Sequence, residues 1–463
     1  VPSTIGIVAS GEDVLNDAVF WVDAGLSSVV SGALSNLGTG GSALNAVFGN
    51  STGTDSFDPA LLTHTGTNYL YLPGGTASAN FASAPNSGAS LGGDVSIAVR
   101  YDPTDRNADV ALLLKRQSGV DTNFYPFNFG QWTNAGGSLK FLWYDTTGGL
   151  HSLYGTVAVP ASAKWVGVQH DTDNGSGGNT AHFYWSPDNT NPTWTLLQSV
   201  TEAFVDPAGR RVNAAQIGVG GTDVGVAGAV GKYYEAKVWS GLTFTNAPLF
   251  HADFTTGITS GAQATFTESS ANAATVTINR STSGRKAVAV TRSTLLFGTD
   301  DYLEVADNDL LDFGASDSFT VVVVVRQWAT PTSFGRIIDK AVVSSTGWSV
   351  SNSGTSSGLY GGISDGTASA SRSNLSTYTL GALRVSTLRV NRNTQTLDTA
   401  TNNTFSATTS TSAVGSSANA VPMRIGRMGD TGTGYQDFEM VAAAVWRRAL
   451  NANEIATIVN RYT

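Results

Sequence analysis

Five landmarks recur in the same order along this chain, and a repeat on that scale constrains the fold more than any single motif. FWVDAGLSS from Phe20 matches FHADFTTGI from Phe250, and NYLYLPGG from Asn68 matches DYLEVADN from Asp301. DVSIAVRY from Asp94 matches SFTVVVVV from Ser318, and QIGVGG from Gln216 matches RIGRMG from Arg424. YYEAKVWSGL, ending at Leu242, matches FEMVAAAVWRRAL, ending at Leu450. The offset falls from 230 at Phe20/Phe250 to 207 at Trp239/Trp446, so the first copy is longer inside. Pairing Trp165 with Val385 places about half of that excess between there and the Ile-Gly landmark, in a lengthened hairpin region of copy one. The boundary falls near Thr245 to Pro248 with almost no linker, which favours two domains in contact.

Each copy reads as strands. SIAVRY, LKFLWYD, KWVGVQHD, AHFYWS, TWTLLQ and KYYEAKVW are strand-length, rich in aromatic and β-branched residues, and bounded by turn residues. Many short strands with regular turns predict a sandwich or jelly roll rather than a βαβ fold. The expected domains are a short arm over 1–13, a first sandwich over 14–247 and a second over 248–463. One helix is predicted, at the C-terminus. Asn451 and Glu454 have the spacing of a capping box, and Ile455, Ile458, Val459 and Tyr462 make one apolar stripe.

Composition narrows the function. The chain of 463 residues is long enough for two full cores. Net charge is −9 and no basic run occurs, so nucleic acid and anionic membranes are poor partners. There is no cysteine, which removes disulfides, zinc-thiolate sites and thiol nucleophiles. The stretch VPSTIGIVASGEDV has no basic n-region or long apolar core, predicting no Sec-type signal and synthesis in a cytoplasm. The most apolar run, Val321 to Val325, is too short to span a bilayer.

The opening F-x-x-D strand, the mid-domain Tyr-Leu, the late Ile-Gly and the closing VWRRALNANEIATIVNRY together resemble the laminin G-like, concanavalin A-like lectin/glucanase jelly roll. The stretch KWVGVQHDTDNGSGGNTAHFYWSPDNTNPTWTLLQ is similar to a run in minor tail proteins of phages infecting actinobacteria. The resemblance covers nearly everything after about residue 14. It implies an all-β chain of two tandem concanavalin A-like (laminin G-like) sandwiches with a short C-terminal helix. It further implies a non-enzymatic virion structural protein, assembled in the host cytoplasm into the tail, contacting other virion subunits and host-surface glycans as a homo-oligomer. A scaffold, capsid or tail decoration protein without sugar binding is one alternative; a glycan hydrolase of the glucanase superfamily is another.

The residues weigh these options. Retaining glycosidases need two carboxylates close together, as alternate residues on one strand face supply. Glu12, Glu202, Glu235, Glu268, Glu304, Glu439 and Glu454 are too scattered to form the family's E-x-D-x-x-E or E-x-D-x-E strand. His64, His151, His170, His182 and His251 sit in no catalytic motif and read as structural. Laminin G-like domains often bind one Ca²⁺, and Asp171, Asp173 and Asn174 in DTDNGSGG offer some of the six to eight oxygens it takes. The plainer reading of that stretch is a Gly-rich hairpin turn, since an EF-hand's third acid and distal Glu are missing. No cofactor is required; calcium in the first domain is the one candidate. Sugars stack on aromatic rings and bond to Asp and Asn. In copy one Tyr125, Trp132, Trp143, Tyr144, Asn134 and Asp145 are the candidates for such a platform, although alternation must bury some of them. Copy two looks plainer, so copy one is the expected glycan site.

Overall fold

A computed structural model describes residues 11–463 except 50–57, 75–79, 87–90, 117–124, 134–135, 205–209, 211, 223–227, 229, 283, 329, 331–333, 344, 354–357, 375–378 and 431–432. The described residues are nearly all β, in four antiparallel sheets. Two compact units form, and they do not follow the two halves of the sequence. A split unit takes residues 1–63, 283–285 and 292–463; an inserted unit takes 64–282 and 286–291.

In the inserted unit one sheet runs Thr195–Glu202, Asn179–Ser186, Trp165–Asp171, Val95–Pro103, Gly231–Ser240, Tyr69–Leu72, Val288–Val290, with Phe250–Asp253 also on Gly231–Ser240. The second runs Leu150–Tyr154, Ser138–Tyr144, Asn128–Trp132, Val110–Lys115, Ile217–Val219, Phe81–Ala84, Thr275–Asn279, Thr265–Thr267. Alternation turns Ile97, Val99, Phe129 and Phe141 into one core between the two. The split unit repeats this plan. Its main sheet centres on Phe319–Arg326 and Phe438–Trp446, with Phe20–Asp23 on the latter. Its second sheet ends in Arg336–Ala341, Thr346–Asn352, Leu359–Asp365 and Ser369–Asn374.

Registers test the repeat. Ser96 lies opposite Trp239 and Thr320 opposite Trp446, while Trp165 lies opposite Arg100 and Val385 opposite Val324, so Trp165 and Val385 are equivalent. The Tyr-Leu landmark is corrected. Tyr69–Leu72 pairs with Gly231–Ser240, whereas Leu303–Val305 pairs with Met423–Ile425 in the other kind of sheet. The true partner of Tyr69–Leu72 is Thr294–Phe297, which pairs with Phe438–Trp446.

The sequential boundaries 14–247 and 248–463 are also corrected. Phe20 lies opposite Val445 in the split unit, and Phe250 opposite Val238 in the inserted unit. Each opening strand thus completes the other copy's sandwich, in the same register. The cause is local: only Gly241–Leu249 separates Gly231–Ser240 from Phe250–Asp253, so the next strand folds back on the last before any distant strand can compete.

Three α-helices occur among the described residues: α1 (Gly11–Asn16), α2 (Phe254–Gly257) and α3 (Ala452–Tyr462). The capping box of α3 is present, and Ile455, Ile458, Val459 and Tyr462 are buried beneath it as the stripe predicts. With Val14 and Leu15 they cover the back of the split unit's main sheet, packing on Trp446 and Val385. Among the described residues the inserted unit has no such helix. There Trp165 and Trp239 are covered by Trp194, from the lengthened hairpin, and by Phe244, whose ring stacks on Trp194 at 4.3 Å. Gly167 makes room: a Cβ there would lie 3.1 Å from Phe244 and 3.2 Å from Trp194.

Candidate functional site

The sequence candidates separate into three places, all in the inserted unit. The first is the outward face of Asn128–Trp132, Ser138–Tyr144 and Leu150–Tyr154. Phe129, Leu139, Phe141, Trp143 and Leu153 point into the core, so their alternates point out. Trp132 and Tyr154 pair at 4.5 Å between ring centroids, and Tyr125 and Tyr144 at 5.0 Å edge to face. Between the pairs, Lys140 lies across from Tyr154 and Leu142 across from Ser152. The Lys140 ammonium sits 5.6 Å from the Trp132 ring and is paired with Asp109. Burial, with Tyr144 nearby, pushes the Tyr125 hydroxyl up to about 12, so it stays a neutral donor. The face therefore offers half-buried rings flanking hydrogen-bonding groups, the chemistry a sugar needs.

Trp143 and Asp145 belong elsewhere. Trp143 is 2% exposed and stacks on His151 at 5.2 Å, inside the core. It cannot join the platform, because the alternation that exposes Tyr144 buries its neighbour. Asn134 lies outside the described residues. Asp145 is buried at the sandwich end, where Oδ1 accepts hydrogen bonds from Thr147 N, Thr147 Oγ1 and Gly149 N, and Oδ2 lies 3.0 Å from His151 Nε2. Glu202 meets the other ring nitrogen, Nδ1, at 3.1 Å, and Phe204 stacks on the second face of the ring at 4.2 Å. Burial opposes charge on Asp145, but His151, Gly149 and Thr147 together bring it down to about 2. Burial likewise opposes charge on His151, but its bonds to Asp145 and Glu202 raise it and favour imidazolium. Below lies His170, whose Nδ1 is 2.7 Å from Arg210 Nη1; burial first, then that guanidinium, keeps it neutral. A carboxyl brought down to about 2 has no proton to give near neutral pH and is a weak base there, so Asp145 is poorly matched to general acid–base work. The cluster is an electrostatic clasp on the loop Asp145–Gly149. The turn DTTGGLH carried half of it in sequence; Glu202, two strands away, was not visible.

The third place is DTDNGSGG. Asp171 Oδ1 accepts from Asp173 N, Asp173 Oδ1 from Gly175 N, and Asn174 Oδ1 from Ser176 N and Gly178 N. Gly175 and Gly177 hold φ of 70° and 78°, as the turn reading requires. Among the described residues, a grouping of three His, Asp and Glu side chains close enough to hold a metal lies at Glu235, His251 and Asp253. Its atoms are already engaged: Glu235 Oε2 by Lys237 at 2.7 Å and His251 at 3.0 Å, and Asp253 as the N-cap of α2.

No protein-family model matches the sequence. No curated protein matches it either. Among solved structures, the binding domain of Paraclostridial Mosquitocidal Protein 1 is 16% identical, with TM-score 0.31 over 44% of this chain and 50% of its own. The botulinum neurotoxin serotype G binding domain gives 14%, 0.30, 37% and 44%. The CBM40 of the Ruminococcus gnavus IT-sialidase, bound to α2,3-sialyllactose, gives 11%, 0.26, 32% and 91%. This chain spans about half or less of the two toxin domains. Likenesses this partial leave function to be read from the chain's own residues.

Proposed function

We propose that this chain is a non-enzymatic, glycan-binding virion protein of the minor-tail type. On this reading it presents the outward face of Asn128–Trp132, Ser138–Tyr144 and Leu150–Tyr154 to glycans on the host surface. The observation that carries the sugar-binding part is the pair of aromatic couples, Trp132 with Tyr154 and Tyr125 with Tyr144, bracketing Lys140 and Ser152 on one sheet face. The virion part rests on the resemblance of the long hairpin to tail proteins of actinobacterial phages. Other virion subunits are the remaining partners, and homo-oligomers would add avidity to weak single contacts.

The test is binding of the purified chain to actinobacterial cells and isolated wall glycans, with and without a calcium chelator. Saturable binding that Trp132→Ala and Tyr144→Ala each weaken by about tenfold is the expected result. Chelator sensitivity would add calcium at Asp171, Asp173 and Asn174. No binding by a folded, multimeric sample would leave a purely structural virion component. Reducing-sugar release lost in Asp145→Asn would turn the reading to hydrolysis.

A further inference from the structure

The equivalent sheet face in the split unit is dressed differently. In register across the strands Arg336–Ala341, Thr346–Asn352, Leu359–Asp365 and Ser369–Asn374, the outward positions Asp339, Ser349, Gly362 and Ser371 form one rung. Arg336, Ser351, Tyr360 and Ser373 form the next. The opposite alternation buries Trp348, Val350 and Ile363 in the core. Because Ser349, Gly362 and Ser371 carry so little side chain on this face, a hollow of about 240 Å³ is left, walled by Val342, Val343 and Met428.

Its ionisable lining is unusual. Asp339 is 1% exposed, and its Oδ1 is used by Ala341 N and Gly429 N. Its Oδ2 faces Arg336 Nε at 3.1 Å as an ion pair, yet neither atom makes a hydrogen bond. Arg336 Nη1 reaches only as far as Ser349 Oγ, at 3.5 Å. A guanidinium is thus fixed by a buried carboxylate with donors left over on the groove side. The two charges offset each other, and the Asp430 carboxylate, which accepts from Val343 N on the wall, adds a negative charge beside the groove, so an anion is not drawn to it. Tyr360 brings a ring to one wall, met edge-on by Phe334 at 5.5 Å. The hollow is below the ~300–1,000 Å³ of pockets for drug-sized ligands, and suits one ring rather than several.

We propose that this groove is a second carbohydrate site, independent of the aromatic face, that takes a single uncharged pyranose ring. Ser349, Ser371 and Arg336 bond its hydroxyls, and Tyr360 packs against its C–H face. Asp339 acts as a positioning residue, holding Arg336.

The experiment is titration of the full chain with the methyl glycosides of glucose, galactose and mannose, and with N-acetylneuraminic acid, read by saturation-transfer NMR and calorimetry. One neutral glycoside is expected to saturate. Ser371→Val and Tyr360→Ala, each with an unchanged melt, are expected to weaken it by about fivefold or more, and Trp132→Ala to leave it unchanged. No saturable binding by any of the three neutral glycosides sinks the proposal. So does binding that neither groove variant alters, or tighter binding of the acid. Loss in Trp132→Ala alone would move the sugar to the aromatic face and leave that reading standing. Loss in the groove variants alone would do the reverse.

Discussion

A histidine held by a carboxylate on each ring nitrogen ties the end of the inserted sandwich to protonation. His151 is raised above its ordinary value by Asp145 and Glu202, against the cost of burial. Its stabilisation is therefore complete below the ordinary imidazole range, about 6.5, and is lost as pH rises through the raised value. Asp145 runs the other way. Its contribution is full above the ordinary carboxylate value of about 3.9 and fades as pH falls towards about 2. Calorimetric melts between about pH 5 and 9 should show an alkaline decline of the inserted unit's transition, and His151→Gln should flatten that decline. A decline of equal size in the variant would assign it to other groups. At this scale the sequence was legible where chemistry is local. The turn in DTDNGSGG follows from its own Asn, Asp and Gly residues, and the outward Trp132 and Tyr144 follow from alternation along their strands. Trp143 and Asp145 were misplaced because one step along a strand exchanges core for surface, and the phase of the alternation is set by the opposite sheet. The serine hollow was overlooked, although Ser349, Ser351 and Ser353, then Ser369, Ser371 and Ser373, mark a period of two.

The two copies solve one problem with different elements. Each main sheet has a back that must be covered, and copy two uses α3 while copy one uses the tip of its lengthened hairpin. That accounts for the half of copy one's excess that lies in the hairpin region. It also makes Trp194 the counterpart of a whole helix. Trp194→Ala should lower the stability of the inserted unit by about 2 kcal/mol, leave the split unit's transition in place, and shift tryptophan emission to the red as Trp165 and Trp239 meet water. In copy two the sensitive point is the cap. Asn451 accepts from Asn453 N at 2.9 Å and Glu454 N at 3.0 Å. Asn451→Ala should cost about 1 kcal/mol in the split unit, with amide exchange quickening first in α3. The helix, its cap and its stripe could be read directly because all their determinants lie within twelve residues. What covers the sheet in copy one could not, because Trp194, Phe244 and Gly167 meet only after three strands have paired.

For the whole molecule, the nesting of one unit in the other decides which pieces can live alone. Residues 64–291 contain nearly all of the inserted unit, and joining 1–63 directly to 292–463 restores nearly all of the split one. Both pieces should give cooperative melts. The sequential halves, 14–247 and 248–463, each carry an opening strand that belongs to the other unit, and should be poorly soluble or molten. Cooperative folding of both halves would mean that Phe20–Asp23 and Phe250–Asp253 are interchangeable, which their matching registers make a fair contest. The repeat was legible because its landmarks lie in the pairing strands; the exchange was not, because register records which strand fits and not which copy supplied it. The same nesting has a mechanical side. Phe20–Asp23 runs beside Phe438–Trp446, and Trp446 Nε1 bonds Val14 O at 2.8 Å, so both outer ends of the described chain are anchored in one sandwich. A pull on those ends loads that sandwich alone. The other hangs in a closed loop, bearing no tension until its host has opened, and whatever face it presents keeps its shape while the tether is under strain.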